Sequence, residues 1–152
     1  MTLLKLALAQ KIVDGSLEKA RELAMEPMTV VVVDASGTYK ALAREDGSGL
    51  IRPDIAYAKA WGAVGMGLPT RELVRRQEGS PQFFNALHAI SGGRLVANPG
   101  GVLIFDRDKL VGAVGVTGDT GDNDEIVAVA GILAAGLRPD AEPVAAVRLS
   151  EF

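Results

Sequence analysis

Gly-Gly-Val-Leu-Ile-Phe-Asp-Arg-Asp-Lys-Leu-Val-Gly-Ala-Val-Gly-Val-Thr-Gly-Asp-Thr-Gly-Asp-Asn-Asp, residues 100–124, sets two apolar runs around a charged turn. Residues 102–105 and 110–116 are expected to be strands, joined by the segment Asp106 to Lys109. Gly112, Gly115 and Gly118 stand three apart, which is not the dinucleotide-binding G-x-G-x-x-G pattern. No Gly-Lys-Ser or Gly-Lys-Thr occurs, so a P-loop is excluded. Glycine inside a strand marks a bulge or a close backbone neighbour. The loop from Thr117 to Gly121 has a different character, because its amides precede a predicted helix and suit an anionic ligand. Asp119, Asp122 and Asp124 either occupy that helix end themselves or hold a cation, although they lack the EF-hand spacing. Asp122 followed by Glu125 is expected to form a capping-box variant for the last helix.

A second hairpin is expected upstream. Residues 29–33 are a β-branched run, Asp34-Ala35-Ser36-Gly37 reads as a turn, and residues 38–44 as the return strand. Leu4, Leu8, Ile12, Leu17, Ala20 and Leu23 predict a first helix running to about Met25, with Thr2 as cap and Gly15 as a weak point. Pro53 opens a second helix, along which Ala56, Ala60, Ala63 and Gly67 form a small-residue stripe suited to close packing. Thr70 is expected to cap a helix over residues 71–77, and Ser80-Pro81 to repeat the device ahead of Phe83, Phe84, Leu87 and Ile90. Gly136 and Pro139 stop the last helix. The chain is therefore expected to be one domain over residues 1–139, with a tail at 140–152 in which residues 144–149 pair at a sheet edge. Hairpins dominate this order, so the fold class is α+β, an antiparallel sheet covered by helices.

Composition removes whole classes of function. The 152 residues carry a net charge of −3, which argues against a nucleic-acid partner, and the cluster Arg71, Arg75 and Arg76 reads as a solvated helix face. There is no cysteine, so disulfides, thiolate catalysis and iron–sulfur clusters are excluded, and the single histidine excludes a multi-histidine metal site. No metal site is expected. Lys5 and Lys11 interrupt the first apolar stretch and no run is long enough to span a bilayer, so a cytoplasmic location without a membrane partner is expected.

Few side chains remain for chemistry. Lys59 lies among Ala56, Ala58 and Ala60, where a covered stem allows it to lose its proton or bind a carboxylate; a snorkelling lysine with a wet head is the plain alternative. Arg44 either holds a carboxylate or pairs with Asp46. His88 is an iron ligand, a general base, or a histidine satisfied by nearby carbonyls. Tyr39 and Tyr57 are the other side chains able to ligate haem iron, and packing is the plain role of both.

Val32-Val33-Asp34, Gly37, Arg44-Glu45-Asp46, Ala56 to Ala60, Gly67 to Thr70, Gly100-Gly101, residues 111–118, Asp124 and Ala130-Gly131 occur in an order that resembles the GlcG/HbpS-like family. This is the haem-degrading or DUF336 domain, which includes the C-terminal domain of PduO-type proteins. The resemblance covers residues 3–136 and implies a profilin-like sandwich on a five-stranded antiparallel sheet that self-associates. It implies haem or a related small ligand; His88 and Tyr57 are the candidate iron ligands that the residues themselves offer. No E-x-x-E iron motif is present in the helical region, which departs from the family's iron-sensing members.

Three functions follow as expectations. The first is a haem- or tetrapyrrole-binding oligomer. The second is a cofactor-independent isomerase, tautomerase, lyase or hydrolase acting on a small organic acid in a catabolic pathway. There Lys59, Asp124 and His88 would move protons, while Arg44, Thr70, Gly100, Gly101, Thr117 and Gly118 would hold the ligand in a pocket. The third is an oligomeric scaffold.

Overall fold

The computed structural model describes residues 3–141. In chain order its elements are α1 (Leu6–Glu22), β1 (Thr29–Asp34), β2 (Tyr39–Arg44), α2 (Arg52–Met66), α3 (Thr70–Gly79), α4 (Pro81–Ile90), β3 (Gly101–Asp106), β4 (Lys109–Thr117), α5 (Gly121–Ala134) and β5 (Arg138–Asp140). The strands form one five-stranded sheet in the order β2-β1-β4-β3-β5. Every neighbouring pair is antiparallel. This is the profilin-like sandwich that the resemblance implied.

Strand alternation sorts the core into two layers. Val30, Val32, Val102, Ile104, Val114 and Val116 face α1 and α5. Val31, Val33, Leu103 and Ala113 face Ala56, Ala60 and Ala63 of α2. Val30 to Val33 are fully buried, as the β-branched run demands of a strand covered on both faces. Burial of each such valine contributes roughly 1.5–3 kcal/mol. The first hairpin closes where expected: Asp34 Oδ1 accepts from the Ser36 and Thr38 amides at 2.9 and 3.1 Å, and Gly37 takes φ +77°.

The glycines of β3 and β4 answer the question posed by their spacing. A Cβ at Gly115 would lie 1.8 Å from the Ala56 carbonyl oxygen, and one at Gly101 would lie 2.5 Å from the Lys59 carbonyl oxygen. The close neighbour is thus the backbone of α2, brought down by its alanines. Gly67 stands outside that stripe as the left-handed C-cap of α2. Gly15 neither breaks nor ends α1, and a Cβ there would meet Ala134 Cβ at 2.6 Å, so it serves the α1–α5 crossing instead.

Several local expectations are corrected. α1 ends at Glu22, short of Met25, and its expected cap Thr2 lies outside the described residues. α3 begins at Thr70 itself, and neither Thr70 nor Ser80 makes a side-chain cap bond. The cap of α5 is Thr120, whose Oγ1 accepts from the Asn123 amide at 3.2 Å, because Asp122 and Glu125 are turned to Arg71. Pro139 and Asp140 belong to a short fifth strand that pairs with Ile104 and Leu103 of β3. Proline is tolerated there because β5 is an edge strand. The pairing expected at 144–149 lies outside the described residues.

Gly115→Ala is expected to destabilise the fold by about 3 kcal/mol or more, at or above the upper range for overpacking. A fall in the urea midpoint measures it; an unchanged midpoint would mean that α2 does not rest on β4.

Candidate functional site

Lys59 leaves α2 on the sheet side, and its ammonium lies where β3 begins and β4 ends. Its Nζ donates to the Val116 carbonyl at 2.8 Å and to Asp124 Oδ2 at 3.0 Å. Asp124 belongs to α5, on the opposite face of the sheet, so the bond ties the two helical layers together. It passes beside Gly100, at φ +124°, where a Cβ would stand 2.8 Å from Lys59 Nζ and 2.6 Å from the Val116 carbonyl oxygen. A side chain at residue 100 would therefore collide with this pair. Asp124 Oδ1 accepts from the Asp119 amide at 2.9 Å, which fixes the carboxylate from its other side. Thr70 completes the arrangement, its hydroxyl accepting from the Gly101 amide at 2.8 Å and donating to the Gly101 carbonyl at 3.3 Å. That pairing explains why Thr70 does not cap α3.

Burial shapes the electrostatics. Lys59 is 0% and Asp124 1% exposed. Loss of water pushes the Lys59 ammonium below the ordinary lysine range, an effect that Asp124 opposes and the nearby Arg52 charge reinforces. The same loss of water pushes the Asp124 carboxyl up against the pull of Lys59. The two groups are close enough to exchange a proton, yet Lys59, Asp124, Thr70, Gly100, Gly101 and Thr117 are all buried. The pocket expected beside Gly100, Gly101 and Thr117 is filled by Lys59 itself.

The Asp119, Thr120 and Asn123 amides ahead of and within the first turn of α5 are used internally. Asp119 accepts from the Glu26 amide at 2.9 Å, the Thr120 amide at 2.7 Å and Asn123 Nδ2 at 2.9 Å, which holds its carboxyl below the usual range. The Asp119 amide serves Asp124 and the Asn123 amide serves Thr120. The aspartates thus answer the helix end themselves, and each turns to a different partner. A Cβ at Gly118 would meet the Pro27 carbonyl oxygen at 2.3 Å, so that glycine is a packing residue.

Three expected site residues lie apart from the pair. Arg44 donates Nη1 to the Ser48 carbonyl at 2.7 Å, and among the described residues it forms no ion pair with Asp46. The arginine that reaches the site is Arg52, whose Nη1 donates to Thr117 Oγ1 at 2.8 Å. Its position immediately before Pro53 at a helix start was the sequence signal available for it. Tyr57 stacks on Tyr39 with ring centroids 4.4 Å apart and donates to the Gly37 carbonyl at 3.2 Å, so it braces the first hairpin. His88 lies on α4 with Nδ1 2.9 Å from the Leu95 carbonyl. A carbonyl only accepts, so Nδ1 carries the proton and Nε2 the lone pair. The basic cluster on α3 is ion-paired rather than merely solvated: Arg71 bridges to Asp122 and Glu125 of α5, while Arg75 and Arg76 hold Glu72.

The family model described as haem degrading protein HbpS-like matches residues 4–133. The chain is 29% identical over 120 residues to the corrinoid adenosyltransferase PduO of Citrobacter freundii, a match that takes in 79% of the chain and 35% of PduO. The chain thus spans about a third of that relative's length. A solved PduOC:heme complex has a TM-score of 0.80 at 28% identity, covering 90% of this chain and 97% of that one. A double mutant of Streptomyces reticuli HbpS has a TM-score of 0.77 at 32% identity, covering 88% and 87%.

Asp124→Asn is expected to cost about 3–5 kcal/mol of stability, because it leaves a buried ammonium without its counter-charge. Adding Lys59→Met to that variant should recover much of the loss, and urea denaturation of the single and double variants checks it. A double variant no more stable than Asp124→Asn alone would rule out the coupling.

Proposed function

The chain belongs to the haem-degrading HbpS-like family, and from that premise we propose that it binds haem or a closely related tetrapyrrole, with Nε2 of His88 as the iron ligand. The observation that carries this reading is the bond from His88 Nδ1 to the Leu95 carbonyl. A metal-bound histidine commonly gives its other ring N–H to a carbonyl or carboxylate, which orients the ring and raises its basicity. His88 is also the single histidine of the chain. Tyr57 is the weaker candidate, because its hydroxyl and ring are both committed to the hairpin.

Apolar side chains flank His88 on α4. A shallow cleft of about 140 Å³ between α2 and α4, lined by Trp61, Met66, Leu87, Ile90 and Leu95 but not by His88, is too small to enclose a tetrapyrrole, which would lie across this surface. Ile90 is 78% and Phe83 56% exposed on α4, so apolar surface extends beyond the cleft. The Arg94 guanidinium stacks 4.2 Å from the Trp61 ring centroid, where it would meet a propionate. Bound haem would supply iron for redox or oxygen chemistry. The chain's own part is to bind, orient and cover it. The PduOC:heme complex lends support from a relative of the same fold. The adenosyltransferase activity named for PduO belongs to a protein of which this chain matches about a third, and it is not carried over. We place the protein in the cytoplasm as an oligomer; Leu50, at 94% exposed, and Ile51, at 61%, offer apolar surface for a second copy to cover.

A proton-transfer reaction on a small organic acid is the second reading. The adjacency of Lys59 and Asp124 favours it, but His88 and Arg44 do not join that pair.

Hemin titrated into the purified protein is expected to give a saturable Soret shift. His88→Ala should weaken it at least about tenfold, equivalent to about 1.4 kcal/mol, and Tyr57→Phe should leave it unchanged. Sedimentation of the same samples at micromolar concentration should show an oligomer. A Soret shift indifferent to His88→Ala removes the proposed ligand, and a monomer removes the self-association.

A further inference from the structure

We propose that Arg52 and Arg44 form a carboxylate-binding site for a small organic acid at the Thr29–Thr117 end of the sheet. Strand register sets this end in a row, with Thr29 opposite Arg44 on one side and opposite Thr117 on the other. Arg44 is therefore based about 10 Å, two strand spacings, from Thr117, the residue that Arg52 reaches from the start of α2. Arg52 donates to Thr117 Oγ1 at 2.8 Å, and Arg44 donates to the Ser48 carbonyl at 2.7 Å. Between them, Thr29 Oγ1 and Ser48 Oγ lie 2.7 Å apart. The Ser48–Gly49 loop runs through the interval, and a Cβ at Gly49 would touch Arg52 Cγ at 3.7 Å.

Glu45 and Asp46 line a cleft with Arg44, but neither forms an ion pair with it. Among the described residues, no carboxylate lies within 4.0 Å of either guanidinium, whereas Arg21, Arg71, Arg75 and Arg76 are each ion-paired. A hydroxyl and a carbonyl orient the two forks without neutralising them, and each fork keeps further donors. Arg52 is only partly exposed, and its charge reaches Lys59. A carboxylate supplies what this arrangement lacks, since it is planar, accepts two parallel N–H groups and carries the opposite charge. Two cations at this separation suit a short dicarboxylate better than a monocarboxylate.

The inference does not rest on haem. Arg52 opens α2, and Trp61 of the cleft between α2 and α4 follows nine residues later, roughly 14 Å along the helix axis. A propionate of haem on His88 is therefore not the expected occupant, and the source is a free acid.

The test follows the arginine Nε–Hε resonances of the full chain by NMR during titration with succinate, acetate or inorganic phosphate at constant ionic strength. Succinate should perturb Arg52 and Arg44 saturably and bind more tightly than acetate or phosphate. Arg52→Gln keeps a donor for Thr117 but removes the charge, and should weaken succinate at least about tenfold, as expected for one lost charge-assisted interaction. Arg44→Gln should weaken it in the same direction and serves if the first variant does not fold. Hemin titration of both variants should match the unsubstituted protein. Three results would each overturn the site: no saturable response to succinate, phosphate binding as tightly as succinate, or succinate binding undiminished in the folded variants. A fall in hemin affinity in step with succinate would assign the arginines to propionates and overturn the free-acid site.

Discussion

An ammonium group held out of water must be met by acceptors and by an opposite charge, and Lys59 meets both through the sheet rather than beside it. The Val116 carbonyl and the Asp124 carboxylate are placed for it by different elements. Much of the surrounding geometry follows from that requirement. Gly100 leaves the passage open, Gly101 and Gly115 let α2 lie on the strands, and the Thr70 hydroxyl holds the Gly101 peptide in place. The Asp119 amide keeps Asp124 turned towards Lys59. The pair links α2, β4 and α5 across the sheet that separates the two apolar cores.

Closing this centre shapes where ligands can go. With Lys59 and Asp124 sealed, the side chains proposed to meet ligands stand towards the two ends of α2. Arg52 and Thr117 mark its start, while Trp61, Met66 and the neighbouring His88 mark its end. The start is cationic and small in scale, which suits acids. The end is apolar, with one nitrogen lone pair and one stacked guanidinium, which suits a flat ring. One helix would thus separate the two proposed sites by its own length, and the buried ion pair anchors it between them.

The hairpins and the core strands were legible because they are local. Asp34 and Gly37 specify their own turn, and an uninterrupted β-branched run has few ways to bury itself. The small-residue stripe on α2 announced close packing without naming its partner. Lys59 among alanines announced a covered stem and left its head open to water, and Asp124 was a candidate beside it; their bond was not legible, because 65 residues separate them and the link forms across two layers. Thr70 and Asp122 were misread as caps for the opposite reason. Their local patterns were sound, but Gly101 and Arg71 offered partners that only folding brings near.

Taken alone, the sequence determined the antiparallel α+β architecture, the absence of thiol chemistry and a choice between bulge and close backbone approach at the strand glycines. It also carried the family resemblance, which rests on the order of short motifs. Tertiary structure alone decided that the close neighbour is α2, that Lys59 is paired with Asp124, and that Arg52 rather than Arg44 reaches Thr117. The division has a physical cause. Backbone conformation and apolar periodicity are set by neighbours in the chain, whereas hydrogen bonds and ion pairs of buried side chains are chosen among groups that meet only after the layers close.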